Sequence, residues 1–131
     1  MTPGTDSQTM KHVLDVGQCG ADHAAIRHLI ERHFEALVTD ADDLEGALAR
    51  LHDGRFDLVL VNRRLDLDGS DGLSLIRRIK SDAQLASTPV MLVTNYPEVH
   101  EQAMADGAEL GFGKAQLAAP ATRALLARFL A

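Results

Sequence analysis

The residue with the clearest chemical potential lies where an apolar stretch of the chain ends. Residues 58–61, LVLV, form an unbroken apolar run that is followed at once by Asn62, Arg63 and Arg64. Such a run is typical of a strand that is buried on both faces of a parallel sheet. Ligands and reacting groups in open α/β sheets lie just beyond the carboxyl ends of the strands. The sequence therefore predicts a functional position at Asn62, and it leaves the two arginines either as an anion or partner contact or as solvated loop residues.

A loop rich in Asp and Gly, residues 66–72, comes next and offers several carboxylates. It does not match an EF-hand calcium loop, because its glycine and any distal glutamate lack the spacing that such a loop needs. Asp71 has instead the type and the position of a residue that caps the following helix. A phospho-accepting role for Asp66 or Asp68 is a further hypothesis, which the geometry of the loop disfavours.

Three other features could carry chemistry: a buried acid, one thiol and the histidines. Asp15 falls inside a predicted buried strand, so we expect it to be protonated or paired with His12, Lys114 or a neighbouring amide, unless it is a displaced metal ligand. Cys19 lies in a turn near a helix N-terminus, where it is either a redox-sensitive thiol or simply a small turn residue. The six histidines contain no i, i+4 pair. The sequence therefore predicts no zinc site.

Composition limits the classes of protein that this chain can represent. It has 131 residues, 46% of them hydrophobic and 24% charged, with a net charge of −6. This length suffices for one domain with its own core. The acidic charge argues against non-specific contact with nucleic acid or an anionic membrane. A single cysteine fits a reducing compartment, and the chain shows no membrane-length apolar run and no signal peptide, so we expect a cytoplasmic protein.

Five predicted strands alternate with five predicted helices. A polar leader, residues 1–10, is expected to be disordered and to precede one domain that spans 11–131. Residues expected to start or cap helices are Asp22, Thr39 or Asp40, Asp71, Pro97 and Pro120. The strands are predicted at 12–16, 35–39, 58–61, 90–94 and 109–113. Such alternation implies right-handed crossovers, and it predicts a three-layer, doubly wound α/β domain with one parallel sheet. The alternation does not give the strand order directly, and the small size of the domain favours 2-1-3-4-5.

Four segments, taken together, resemble a known family. They are DLVLVN, the downstream DGLSLIRRIK, PVMLVTN with Thr94, and MADGAELGFGK ending at Lys114. Their order and spacing are similar to those of the CheY-like receiver domains of two-component response regulators, which have the flavodoxin-like fold. The resemblance covers about residues 11–131.

The resemblance also shows where this chain departs from the family. Working receivers bind Mg²⁺ with an acidic pair at the end of the first strand, where this chain has Gly17 and Gln18, and they phosphorylate an aspartate where it has Asn62. Magnesium prefers anionic oxygen ligands, and an amide is not a nucleophile of the aspartyl-phosphate kind. Thr94 and Lys114 are retained. The resemblance thus implies a pseudo-receiver in which these five residues form a vestigial phosphorylation pocket, with no catalytic residue, metal or cofactor.

Simpler roles are open to the retained residues of this pocket. Lys114 is expected to act as a structural cation that hydrogen-bonds the side-chain oxygen of Asn62. Thr94 could serve only to satisfy a backbone group at the end of its strand. Two further family positions differ, because Gly111 stands where receivers have an aromatic switch residue and Ala115 stands where they have a proline.

A receiver of this kind is expected to act in two-component signalling, or phosphorelay, by protein–protein contact without phosphorylation. The resemblance implies a partner surface on the fourth helix, fifth strand and fifth helix, although core packing would explain the same apolar residues. Its predicted residues are Glu98, Gln102, Leu110, Gly111, Phe112, Leu126 and Leu130. The partner would be a histidine kinase, an output protein or a second copy of the chain.

A second hypothesis is a switch that binds a small anion in the old pocket through Asn62, Thr94 and Lys114. An ordered anion beside Lys114 would support this hypothesis. A pocket closed by side chains would oppose it.

Overall fold

A computed structural model of the protein describes residues 10–65, 67 and 69–131. The predicted leader, apart from its last residue, lies outside the described residues, and so do Asp66 and Asp68. Within the described chain, five strands form one parallel sheet in the order β2-β1-β3-β4-β5. The strands are β1 Lys11–Val16, β2 Ala36–Ala41, β3 Leu58–Asn62, β4 Val90–Val93 and β5 Glu109–Phe112. The predicted strand order is confirmed.

Helices follow each strand of the described chain. They are α1 Gly20–His33, α2 Leu44–Asp53, α3 Gly72–Ser81, α4 Pro97–Ala105 and α5 Pro120–Leu130, with a single 3-10 turn at Lys114–Gln116. Asp71 caps α3 as predicted, because its carboxylate accepts a hydrogen bond from the backbone N–H of Leu73 at 2.9 Å. Pro97 and Pro120 stand in the first turns of α4 and α5, where a missing N–H costs nothing.

The cap predicted for the second helix at Thr39 or Asp40 is wrong. Strand β2 continues to Ala41, because its pairing with β1 is in register up to that residue. Asp43 caps α2 instead, and its carboxylate accepts a hydrogen bond from the backbone N–H of Gly46 at 2.8 Å.

The sheet separates two apolar clusters, which gives the molecule three layers. One cluster joins the sheet to α2, α3 and α4, and the other joins it to α1 and α5. Residues 58–61 of β3 are fully buried, as expected for the central strand of a sheet that is covered on both faces. No helix in the part of the chain that the structure describes has both the length and the apolar character needed to cross a bilayer.

Candidate functional site

The carboxyl ends of β1, β3 and β4 form one edge of the sheet, and the predicted pocket residues lie along it. Val16 is paired with Val61, and Asn62 is paired with Val93. The residues that directly follow β1 and β4 therefore come close to Asn62, because the strands are parallel. They are Gly17 and Thr94.

Asn62 uses its side-chain amide to hold two loops together. Its Nδ2 donates a hydrogen bond to the carbonyl oxygen of Arg64 at 2.6 Å and another to that of Gly17 at 3.3 Å. Both acceptors are carbonyl oxygens, so the –NH₂ group rather than the amide oxygen must face them. The turn after β1 is thus tied to the loop after β3. An aspartate in the same position would have no hydrogen to donate and would face two carbonyl oxygens.

Gly17 makes a tight turn that leaves no room for a side chain. Its φ is +78°, in the left-handed region that favours glycine. A Cβ at this position would overlap the side chain of Leu65 and would lie 2.8 Å from its Cα. Leu65 is itself buried, so it closes the space beside the end of β1.

Gln18 turns its side chain inward from the same turn. Both atoms of its amide group are buried, and neither makes a hydrogen bond with any residue that the structure describes. The second carboxylate oxygen of Asp15, Oδ1, is buried and unbonded in the same way. Three polar atoms at the end of β1 therefore lack a partner within the described protein.

Asp15 is paired with a histidine that the sequence analysis did not identify. It is 1% exposed, and its Oδ2 lies 2.7 Å from Nδ1 of His23 in α1. Burial raises the pKa of Asp15 to about 6, and the hydrogen bond with His23 offsets part of this effect. The amide of Gln18 also lowers the pKa of Asp15, although its geometry falls short of a hydrogen bond. Of the partners expected for Asp15, His12 and Lys114 are wrong, and the neighbouring amide of Gln18 acts on it without forming a hydrogen bond.

Lys114 does not bind Asn62, contrary to the sequence-based expectation. Its Nζ lies 2.8 Å from Oδ2 of Asp22, in the first turn of α1, and both side chains are half-exposed. No hydrogen bond joins the described side chains of Lys114 and Asn62. The hydrogen bond from Lys114 lowers the pKa of Asp22, because it favours the ionised carboxylate. The sequence predicts only a helix start at Asp22, because spacing along the chain does not show which way a lysine at a strand end turns.

Thr94 completes the site at the end of β4. It is buried, and its hydroxyl oxygen accepts a hydrogen bond from the backbone N–H of Tyr96 at 3.3 Å. Its carbonyl oxygen accepts a second hydrogen bond, from Nε2 of His100 at 2.7 Å. This acceptor requires that Nε2 carry the proton. The simple strand-end role foreseen for Thr94 therefore agrees with its contacts.

The sequence profile of the family described as "Response regulator receiver domain" matches residues 21–116, most of the chain. The chain belongs to the response regulator receiver family. The chemotaxis protein CheY of Pseudomonas aeruginosa is 31% identical over 77 residues, which cover 56% of this chain and 60% of that protein. The match thus spans less than two thirds of that relative.

Solved structures of receivers share the fold. The chemotaxis response regulator CheY4 of Vibrio cholerae has a TM-score of 0.73 at 23% identity, over 92% of this chain and 99% of that one. A phosphorylated cyanobacterial phytochrome response regulator, RcpA, has a TM-score of 0.68 at 22% identity, over 82% of this chain and 86% of that one. These likenesses confirm the predicted flavodoxin-like α/β fold of the receiver domain.

The described residues at the sheet edge do not fit the magnesium ion that the family implies. Gly17, Gln18 and Asn62 offer no carboxylate, and the amide hydrogens of Asn62 already occupy the carbonyl oxygens of Gly17 and Arg64. Asp15 is the acid that β1 does supply, and it is buried against His23. Across the described residues, no three His, Cys, Asp or Glu side chains converge as metal ligands would.

The predicted partner surface is only partly at the surface of the receiver. Glu98, Gln102 and Leu110 are exposed, as that role requires. Four other predicted residues are buried and cannot meet a partner in this conformation. They are Gly111, Phe112, Leu126 and Leu130. The reason is packing, because Phe112 and the two leucines belong to the apolar cluster between the sheet and α5.

Proposed function

We propose that this receiver domain signals through protein–protein contact and is not switched by aspartyl phosphorylation. Membership of the receiver family places it in two-component signalling. The observation that carries the proposal is the pair of hydrogen bonds from the Asn62 amide to Gly17 and Arg64. These bonds tie the loops after β1 and β3 together through groups of the protein itself, and an amide does not attack a phosphodonor as a carboxylate does.

The local backbone supports the same proposal. An acidic residue at position 17 would need a side chain where Leu65 packs, and it would need the positive φ that Gly17 adopts. Phosphoryl transfer depends mainly on positioning and on neutralising charge, and in receivers a metal ion supplies much of both. A sheet edge that has no acidic ligand at positions 17 and 18, and no room for one at position 17, lacks that source of charge.

The contacts of the old pocket oppose the small-anion alternative. Lys114, the cation that would attract an anion, is paired with Asp22. Leu65 also fills the space beside Gly17. We therefore assign these residues a structural role. Signalling then rests on the exposed residues of α4 and β5, with a histidine kinase or an output protein of the cytoplasm as partner.

The Asn62→Asp variant tests how completely the pocket has lost its family chemistry. The introduced carboxylate faces the carbonyl oxygens of Gly17 and Arg64, so we expect the free energy of unfolding to fall by about 1–3 kcal/mol. We also expect no rise in melting temperature with millimolar Mg²⁺, because one anionic ligand holds the ion too weakly. Asn62→Ala is the matched control, since it removes the amide without adding charge.

Thermal unfolding with and without Mg²⁺, followed by intact mass after exposure to acetyl phosphate, provides the readout. If Asn62→Asp takes up a phosphoryl group in a magnesium-dependent way, the pocket retains its family chemistry and the proposal fails.

A further inference from the structure

A cleft lies at the amino edge of the sheet, opposite the edge that carries Asn62. Residues 54–57, which lead into β3, form one of its walls, and the loop that leads into β4 forms the other. Its volume is about 500 Å³, which is within the range of small-molecule sites. No residue of the old phosphorylation pocket lines it.

The wall before β4 is held in place by contacts with two helices. Nζ of Lys80, in α3, donates hydrogen bonds to the carbonyl oxygens of Ala86 and Thr88 at 3.0 and 2.8 Å. In α2, Nε2 of His52 lies 3.0 Å from the carboxylate of Asp82. Because these contacts fix the shape of the loop, a ligand would not have to order it on binding.

The cleft offers hydrogen-bond donors that have no partner in the described protein. Arg55 lines it and is exposed, and its guanidinium forms no ion pair or hydrogen bond with any residue that the structure describes. The hydroxyl groups of Ser87 and Thr88, on the facing wall, likewise lack a partner among the described residues. Oε1 of Gln84 lies 3.2 Å from Nδ1 of His52, which leaves the amide –NH₂ group as a further donor. Such a set of donors complements an oxyanion, and a guanidinium can bind one through two parallel hydrogen bonds.

One acidic residue lines the cleft, and its carboxylate already has a role in the fold. Oδ2 of Asp57 accepts a hydrogen bond from the backbone N–H of His12 at 2.9 Å. In return, the backbone N–H of Asp57 donates to the carbonyl oxygen of His12 at 2.8 Å. Lys11, His12 and Arg55 border a second cleft on the other side of residues 54–57. Basic side chains therefore outnumber acidic ones among the residues that line the two clefts.

The carbon part of a ligand would meet an aromatic ring. Phe56 is half-buried and packs against the apolar cluster between the sheet and α2, α3 and α4. A Cβ at Gly54 would lie 3.8 Å from Cε2 of Phe56, so the glycine leaves this edge of the ring uncovered. Leu51 and Pro89 add apolar lining. An apolar surface with a few convergent polar groups is typical of a small-molecule site.

We infer that this cleft binds a small organic oxyanion, a carboxylate or a phosphate monoester. The charged group would lie against Arg55, Ser87 and Thr88, and the carbon part would lie against Phe56. Binding here would not depend on the chemistry of Asn62, which lies at the opposite edge of the sheet.

Four probes test this binding on the whole protein: phenyl phosphate, benzoate, benzyl alcohol and inorganic phosphate. Binding is followed through backbone amide chemical shifts. We expect the two aromatic anions to bind in the millimolar range and to shift the amides of Arg55, Phe56 and Thr88 most. Benzyl alcohol, which lacks the charge, and inorganic phosphate, which lacks the ring, should each bind about fivefold more weakly or worse. The tighter of the two aromatic anions shows which oxyanion the cleft prefers.

Matched variants locate the site. Arg55→Gln should weaken the binding of phenyl phosphate by about fivefold. Asp57→Asn keeps an acceptor for His12 and removes a negative charge from the lining, so it should tighten binding by up to about fivefold. Arg32→Gln, which removes another exposed guanidinium on α1, should change binding by less than about twofold.

Equal binding of benzyl alcohol, shifts that map to other parts of the chain or insensitivity to both cleft variants would overturn the inference. The titration needs no phosphodonor, so aspartyl phosphorylation of the wild type would refute the proposed function while leaving this result standing.

Discussion

Asn62 differs from an aspartate by a single –NH₂ group, and that group makes both hydrogen bonds that join the loops after β1 and β3. The two side chains have nearly the same volume, but their chemistry differs. A carboxylate accepts protons, metals and phosphoryl groups, whereas this amide donates to carbonyl oxygens and so closes the site upon itself. One amide group thus joins the two loops at this edge of the sheet.

Asp15 makes the stability of the fold depend on pH. Burial raises its pKa from 3.8 to about 6, so the folded protein keeps the proton that the unfolded chain releases as the pH rises from about 4. The fold therefore favours the protonated carboxyl of Asp15. The contribution of this group to stability is full below pH 4 and is lost as the pH rises through 6.

The Asp15→Asn variant removes this titration while keeping an acceptor for His23. We expect the unfolding free energy of the variant, relative to wild type, to rise by up to about 3 kcal/mol between pH 4 and pH 7. Urea unfolding at four pH values in this range measures the difference. A difference that stays constant with pH would show that Asp15 is not held protonated by burial.

The turn between β1 and α1 depends on the glycine at position 17. Gly17→Ala must place a Cβ at positive φ and against Leu65, so we expect it to lower the unfolding free energy by roughly 2 kcal/mol or more. Gly20→Ala is the matched control, because a Cβ there meets no other atom within 4 Å at the start of α1. It should be neutral or slightly stabilising. Chemical denaturation of both variants gives the comparison, and equal effects would contradict the proposed closure by Leu65.

The sequence predicted helices and strands correctly where their bounds depend on residues close together in the chain. The apolar run of β3, the cap at Asp71 and the two helix-starting prolines each act within a few residues. The end of β2 was missed for the opposite reason. It extends to Ala41 because Asp40 and Ala41 pair with Asp15 and Val16 of β1, and a sequence shows propensity but not how far two distant strands remain in register.

The candidate site was predictable as a set of positions but not as a set of contacts. Strand ends that meet at one edge brought Gly17, Asn62 and Thr94 together, as parallel topology requires. The partners of Lys114 and Asp15 were not foreseen, because both lie on α1 and depend on how that helix packs over the sheet. The burial of Leu126 was equally a matter of packing, since α5 presents the same leucines whether it docks on the sheet or on a partner.

The receiver has two contrasting sides, a closed one at the carboxyl edge of the sheet and an open one on the α4–β5–α5 face. At the edge of the sheet, Asn62, Leu65 and Lys114 are engaged with neighbouring groups of the protein itself. On the α4–β5–α5 face, a groove is surrounded by exposed apolar residues and by Glu98 and Glu101, which form no ion pair with any other residue that the structure describes. His100 connects the two, because it lines the groove and donates a hydrogen bond to Thr94. Signalling by contact alone is the behaviour that this division favours.

The most direct test of this account is the mass of the wild-type receiver after incubation with Mg²⁺ and acetyl phosphate. An acyl phosphate on a carboxylate is cleaved by hydroxylamine, so treated and untreated samples distinguish it from other adducts. A receiver that phosphorylates readily under the same conditions, such as a CheY protein, serves as the positive control. We predict no hydroxylamine-labile phosphoryl group on this chain. Stoichiometric labile phosphate on any of its aspartates would contradict the account.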